Sequence, residues 1–292
     1  MEIVKSPVLG YCYGVRKTLD KASECIETGK KKQIPSYSIG RLIHNPDVIR
    51  RYEELGLKVI GNPLGNQKGV ALIRAHGIPD SLKEDFRKAG FRLIDSTCIN
   101  IQESRDSMRK AFLEGRTCIV LGVEGHAETS SLLDTHTGDG KPISCCFISG
   151  PEDVDAAISR YSPDIPVCVV TQTTFPVNLY EEIVARLKGH FCDVVVANHP
   201  CLACTKRQDE VKKLCNSCDA VVVVGGRESE NTRNLARIVF SCGICAYCVE
   251  NSKDIDNSLA TRISRHKRVG ICAGTSTPVE VVDAVVAVLE KL

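Results

Sequence analysis

The feature that most constrains this chain is a repeated alternation of short Val- and Ile-rich runs, polar Gly-containing loops and amphipathic stretches. Val70 to Arg74, Thr117 to Leu121, Val167 to Val170, Val194 to Ala197, Val221 to Val224 and Val269 to Cys272 read as strands. Helical periodicity covers Val15 to Thr28, Ser81 to Ala89, Ile101 to Leu113, Leu179 to Leu187, Thr205 to Leu214, Asn231 to Val239 and Pro278 to Leu292. In the last of these, Val279, Val282, Val285, Val286 and Leu289 mark one apolar face. Such alternation specifies an α/β chain with mainly parallel sheets. The number of units within 292 residues favours several small sheets over one large one.

Composition excludes several function classes. Lys and Arg total 38 against 36 Asp and Glu, so no field of one sign exists to attract nucleic acid or an anionic membrane. Trp is absent and aromatics are 5%, which argues against a base-stacking platform. Apolar runs such as Ala220 to Gly226 fall far short of the roughly 20 residues a membrane helix needs. The opening MEIVKSPVLG has no charged leader followed by a long apolar segment, so a cytoplasmic, reducing location is expected. In that setting the 16 cysteines are free thiols or metal ligands.

Unusual polar residues fall just after the strand ends: His76, His126 with Glu128, Thr173, Ser229 with Asn231, and Ser276. In open α/β sheets ligands bind outside the carboxyl ends of strands, where helix N-termini suit an anion. Singly, the Ser, Thr and Asn are helix caps. As a set with two His and one Glu they outline a shared polar pocket.

Four CxxC pairs occur: Cys201–Cys204, Cys215–Cys218, Cys242–Cys245 and Cys245–Cys248. The first two approach a zinc-ribbon spacing, but the helix expected between them would hold the pairs roughly 15 Å apart. Cys242, Cys245 and Cys248 are similar to part of a ferredoxin motif without its Cys-Pro, in a stretch that suits a strand with packed thiols. Cys118, Cys168 and Cys272 read as core residues. Cys12, Cys98 and Cys201 differ, because each follows a strand and precedes a helix, the position that favours the metal-binding thiolate. Three such corners, one per third of the chain, could serve one metal centre, or each thiol could be a core residue.

The segments GYCYGVRK, the His-Asn of LIHNPDV, RAHGIP, DSTC, GHAE, TQTT, the Cys201 loop with Arg207-Gln208, GGRESEN and AGTSTP occur in this order along the chain. In order and spacing the chain resembles the 4-hydroxy-3-methylbut-2-enyl diphosphate reductase family (LytB or IspH) over essentially its full length. The resemblance implies three small α/β units in a pseudo-threefold, trefoil-like arrangement around a central cluster cavity. The units would be residues 14–98, residues 99–197, and residues 1–13 with 198–292. It implies a [4Fe-4S] cluster with one open iron site, held by Cys12, Cys98 and Cys201. It further implies reductive dehydroxylation of the allylic diphosphate to isopentenyl and dimethylallyl diphosphate, the last step of the non-mevalonate (MEP) route. Electrons would come from a ferredoxin- or flavodoxin-type donor. By position, His44, His76, His126, Thr173, Ser229, Asn231 and Ser276 would bind substrate, with Glu128, Thr173 and His126 catalytic. Glu128 matches the family's proton-delivering acid.

The chain departs from the family pattern at Ala127 and Ile99, both usually Pro, at Cys204, usually a hydroxyl residue, and at Glu230, usually a Ser that touches diphosphate. A carboxylate at 230 is expected to point away from the anion or turn toward Arg227 or Arg233. Two other readings stay open here: a different allylic or phosphorylated substrate, and a zinc-organised Cys-rich binding protein.

Overall fold

A computed structural model of the chain describes residues 1–63 and 68–292. In chain order the elements are β1 (Glu2–Lys5), α1 (Tyr13–Lys32), β2 (Ser36–Ile39), α2 (Pro46–Glu54), β3 (Leu57–Ile60), β4 (Val70–Ile73), α3 (Asp80–Lys88), β5 (Arg92–Asp95) and α4 (Ile99–Leu113). There follow β6 (Thr117–Leu121), α5 (Ala127–Leu133), β7 (Cys145–Ile148), α6 (Val154–Ile158), β8 (Pro166–Thr171), α7 (Val177–His190) and β9 (Asp193–Val196). The last third holds α8 (Leu202–Ser217), β10 (Ala220–Val224), α9 (Glu230–Ser241), β11 (Cys245–Val249), α10 (Asn257–Ile263), β12 (Arg268–Ala273) and α11 (Val279–Leu289).

The strands form three four-stranded, all-parallel sheets with the orders β3-β2-β4-β5, β7-β6-β8-β9 and β11-β10-β12-β1. All three share one pattern, in which the first strand lies between the second and the third and the fourth closes the edge. In the last sheet the closing strand is β1, which pairs Ile3 with Val269 and Lys5 with Ile271. By packing, Lys17–Leu42 and Glu53–Cys201 make one compact unit, and Met1–Arg16, Ile43–Tyr52 and Leu202–Leu292 another. The first contains two of the sheets and the second contains the third.

Parallel strands covered on both faces need apolar residues at every position, and β10 meets this with Ala-Val-Val-Val-Val, wholly buried. Ala220, Val222 and Val224 pack on Val282, Val285 and Leu289 of α11. Val221 and Val223 face Val211 and Leu214 of α8 and Leu235 and Val239 of α9. The sheet of β6 divides likewise: Ile119 and Leu121 face Ile183 and Leu187 of α7, while Cys118 and Val120 face Met108 of α4 and Leu132 of α5. Each such Val, Leu, Ile or Met side chain contributes about 1.5–3 kcal/mol by leaving water. Cys118, Cys168 and Cys272 lie in these layers, as their apolar surroundings in the sequence suggest.

All six strands expected from sequence are present. The other six are short, and most carry polar residues or sit at an edge. β2 is buried throughout although half of it is Ser. Ser36 Oγ donates to the Cys25 carbonyl at 3.0 Å and Ser38 Oγ to the Gly40 carbonyl at 2.9 Å, so the hydroxyls are satisfied inside. The expected packing of Cys242, Cys245 and Cys248 is corrected. The strand exists as β11, but it is an edge strand, and all three thiols are exposed while Tyr247 and Val249 face inward.

Candidate functional site

The strand order sets where chemistry can sit. Each sheet has its switch point between its first and third strands, and ligands bind beyond the carboxyl ends there. After the first strands, β2, β6 and β10, come His44, then His126 with Glu128, then Ser229 with Asn231. After the third strands, β4, β8 and β12, come His76, Thr173 and Ser276. After the closing strands, β5, β9 and β1, come Cys98, Cys201 and Cys12, each immediately before a helix. The three cysteines are tied alike: the amide of Cys98 donates to the Ala75 carbonyl (2.9 Å), that of Cys201 to Thr173 (2.8 Å) and that of Cys12 to Thr275 (3.1 Å). Each acceptor stands two residues beyond its own sheet's third strand.

Within the larger compact unit, Glu128 is buried in the first turn of α5. Its Oε1 accepts from the Thr173 amide (2.6 Å) and its Oε2 from the Thr173 hydroxyl (2.7 Å). Burial pushes the carboxyl up to about 7; the Thr173 hydrogen bonds pull the other way, and Cys201 adds a smaller upward push. His126 caps α5 by accepting the Glu128 amide on Nδ1 at 3.2 Å, which leaves the proton of a neutral ring on Nε2. The His76 ring meets His126 edge-on, 5.3 Å between centroids.

The loop bearing Cys201 is clamped along its length. Asn198 imitates a strand residue, its side chain accepting from the Thr171 amide and donating to the Thr171 carbonyl, both at 2.8 Å. The Tyr180 hydroxyl bonds His199 Nδ1 at 2.8 Å. Asn100 Nδ2 donates to the Cys201 sulfur at 3.1 Å. The sequence reading missed Asn198, Tyr180 and Asn100; Asn100 stands two residues after Cys98, but nothing local shows that it reaches Cys201.

In the other unit, the loop before Cys12 is held by Arg207, buried on α8, which donates to the carbonyls of Gly10 (2.6 Å), Ala273 (3.2 Å) and Ala203 (2.9 Å). The His44 carbonyl lies against Gly226, where an added Cβ would come within 2.1 Å of it, so glycine is required for the approach. Ser276 Oγ reaches the same carbonyl at 3.4 Å. Ser229 caps α9, accepting the Thr232 amide at 3.4 Å. Asn231 is 2% exposed, yet among the described residues neither of its side-chain polar atoms has a hydrogen-bond partner, nor does Gln208 Nε2. A buried amide left so is costly unless a ligand completes it.

Glu230 is also buried. Its carboxylate bonds Arg237 at 2.6 Å and Arg233 at 3.4 Å, whereas Arg227 turns to Asp254 at 3.5 Å. The expected pairing with Arg233 is found, that with Arg227 is not, and Arg237 was unforeseen. Ile99 and Ala127 are both the first residue of a helix, where Pro is favoured but not needed. The preceding residues keep the extended conformation a Pro would impose, ψ 139° at Cys98 and 138° at His126.

Among the described residues no three His, Cys, Asp or Glu are grouped to hold one metal ion. Cysteines of a multi-iron cluster each bind a different iron, so such close grouping is not what they require. Cys98 and Cys201 fit that duty, half-exposed at helix starts, and the Cys201 sulfur already accepts an amide hydrogen bond as a thiolate would. The helix expected between the two CxxC pairs is α8; Cys204 is buried within it and Cys218 just past its end. A separate polar groove of about 700 Å³ near α3 and α4, lined by Asp80, Arg109 and His136, contains none of these residues, and its Asp80 is paired with Arg109 and with Arg105.

The sequence profile of the LytB protein family matches residues 3–290. The 4-hydroxy-3-methylbut-2-enyl diphosphate reductase of Desulfovibrio desulfuricans is 30% identical over 288 residues, covering 97% of this chain and 97% of that protein. The reductase of the same name from Oleidesulfovibrio alaskensis is 31% identical over 294 residues, covering 100% of each. Among solved structures, the E-1-hydroxy-2-methyl-but-2-enyl-4-diphosphate reductase from Plasmodium falciparum shares the fold, with a TM-score of 0.88 at 22% identity over 99% of this chain and 87% of that one. A structure of (E)-4-hydroxy-3-methyl-but-2-enyl diphosphate reductase, described as the terminal enzyme of the non-mevalonate pathway, matches 100% of each chain at 29% identity and a TM-score of 0.67. A match of this extent, running through the same strands and corners that carry the polar and cysteine loops, means that the chain belongs to the LytB protein family.

Proposed function

We propose that this chain is a 4-hydroxy-3-methylbut-2-enyl diphosphate reductase that removes the allylic hydroxyl as water, using two electrons and two protons, to give isopentenyl and dimethylallyl diphosphate. The observation that carries the reading is Glu128, a buried carboxyl held by both donors of Thr173, whose own carbonyl accepts the Cys201 amide. A [4Fe-4S] cluster held by Cys12, Cys98 and Cys201 would supply the electrons and one open iron as a Lewis acid. Glu128, pushed up to about 7, holds a proton near neutral pH and can deliver it from Oε1 or Oε2 to a departing hydroxyl. The Thr173 hydroxyl orients that carboxyl and can bond the same hydroxyl. His126, with its proton on Nε2, is a neutral donor.

For the diphosphate, the donors are the Asn231 amide, the hydroxyls of Ser229 and Ser276, His44 and His76, with the start of α9 adding its dipole. An unpaired carboxylate at Glu230 would favour another substrate over a diphosphate. Its pairing with Arg237 and Arg233 makes the local charge of the three side chains positive, which suits the anion. A ferredoxin- or flavodoxin-type donor, a cytoplasmic setting and the unit boundaries 14–98, 99–197 and 1–13 with 198–292 belong to this reading. No helix among the described residues is long and apolar enough to cross a membrane.

The test is anaerobic reconstitution with iron and sulfide, then oxidation of a reduced dye by the allylic diphosphate. Brown protein with about four irons and substrate-dependent dye oxidation is expected. Colourless protein that takes zinc and leaves the dye reduced would overturn the reading.

A further inference from the structure

We propose that Asn100 tunes the redox centre: its side-chain N–H donates to the sulfur of Cys201 and makes a cluster bound there easier to reduce. The inference rests on Cys201 being a cluster ligand.

Asn100 is the second residue of α4, directly after the corner that presents Cys98. Its Nδ2 lies 3.1 Å from Cys201 Sγ, a residue 101 positions away. One side chain therefore spans two of the three cysteine corners. α4 is fixed beneath it, with the Ser104 hydroxyl donating to the Asn100 carbonyl at 2.7 Å and Ile101 and Arg105 buried. The orientation of the amide follows from chemistry. A metal-bound thiolate can only accept, so the NH2 and not the oxygen must face it.

Electrons entering an iron–sulfur cluster put added negative charge partly on its sulfurs. A donor aimed at a sulfur stabilises the reduced form more than the oxidised one, and hydrogen bonds to sulfur are among the factors that set cluster potentials. The group that opposes this is Glu128, whose interaction with Cys201 raises its own proton affinity. Asn100 carries no charge, so its contribution is constant across the neutral pH range. Glu128 contributes only where it is ionised.

The experiment uses full-length, anaerobically reconstituted protein: wild type, Asn100→Leu, Asn100→Asp and Asn100→Gln. Iron content and a potentiometric titration followed by electron paramagnetic resonance are the readouts. Asn100→Leu should keep its iron and lose about tenfold in the one-electron reduction constant, a shift of about 59 mV to lower potential. Asn100→Asp, placing a carboxylate at the sulfur, should shift further in the same direction, and Asn100→Gln should recover part of the loss. Full iron with an unchanged midpoint in Asn100→Leu and Asn100→Asp overturns the tuning role alone. Loss of iron in all three variants overturns it in favour of a structural role. Wild-type protein that assembles no cluster overturns the reading beneath it as well.

Discussion

The Thr173 hydroxyl donates to Glu128 Oε2 over 2.7 Å while the Thr173 amide donates to Oε1 over 2.6 Å. Both bonds favour the carboxylate, yet burial outweighs them and the carboxyl stands at about 7. The pair joins the first turn of α5, which follows β6, to the loop after β8, the two lips of that sheet's switch point.

Glu128→Gln keeps shape and hydrogen bonding but has no releasable proton. It should retain its iron and its substrate affinity and lose about 10²-fold or more in kcat. Wild-type kcat should fall as pH rises through about 7, where the acid ionises, and the variant should lose that limb. Stability follows the same sign. Between the ordinary value of 4.5 and about 7 the folded chain binds more protons than the unfolded one, so stability declines as pH rises across that window. Denaturant titrations of wild type and variant at both ends of the window check this, and an unchanged kcat would remove Glu128 from the reaction.

Asn231 separates ligand binding from folding. Because its buried amide has no hydrogen-bond partner among the described residues, Asn231→Ala should leave stability unchanged or raise it. Diphosphate affinity should drop roughly 10- to 100-fold, the worth of one hydrogen bond to a charged group. Thermal melts with and without inorganic diphosphate measure both quantities, and a variant that binds as tightly as wild type would take Asn231 out of the anion site.

Serine at Cys12, Cys98 or Cys201 should each abolish stable iron binding, whereas serine at Cys215, Cys242 or Cys245 should not. Iron and sulfide analysis after anaerobic reconstitution decides the matter. If Cys12→Ser retains full iron and Cys215→Ser loses it, the ligand assignment is wrong.

Glu230→Ser should change diphosphate affinity by about tenfold or less, since its charge is already offset by Arg233 and Arg237. Arg237→Ala is the harsher change. It leaves a buried carboxylate with only the 3.4 Å contact to Arg233 and should cost about 1–3 kcal/mol in denaturant unfolding. A thousandfold gain in affinity for Glu230→Ser would return the different-substrate reading to the front.

The parallel α/β architecture was legible because strands buried on both faces must be apolar throughout, and β4, β6, β8 and β10 carry that signature within four to six residues. The strand–cysteine–helix corners were legible for a related reason: a loop joining strand to helix is short, so Cys98 and Cys201 keep their context in sequence. Ser-rich β2 was hidden, because only the carbonyls of Cys25 and Gly40 make its hydroxyls tolerable in a core.

What the sequence determined by itself was local: the periodicities, the polar residues at strand ends, and the cysteines placed before helices. Tertiary structure alone decided that β1 closes the last sheet beside β12, which gives Cys12 the same station as Cys98 and Cys201. It alone decided that β11 is an edge, exposing Cys245 and Cys248, that Asn100 reaches Cys201, and that Asn231 is buried without a hydrogen-bond partner among the described residues. Each of these depends on a pairing between residues far apart along the chain. Propensity and spacing act over a few residues, whereas register and burial are set only when distant strands and helices close on one another.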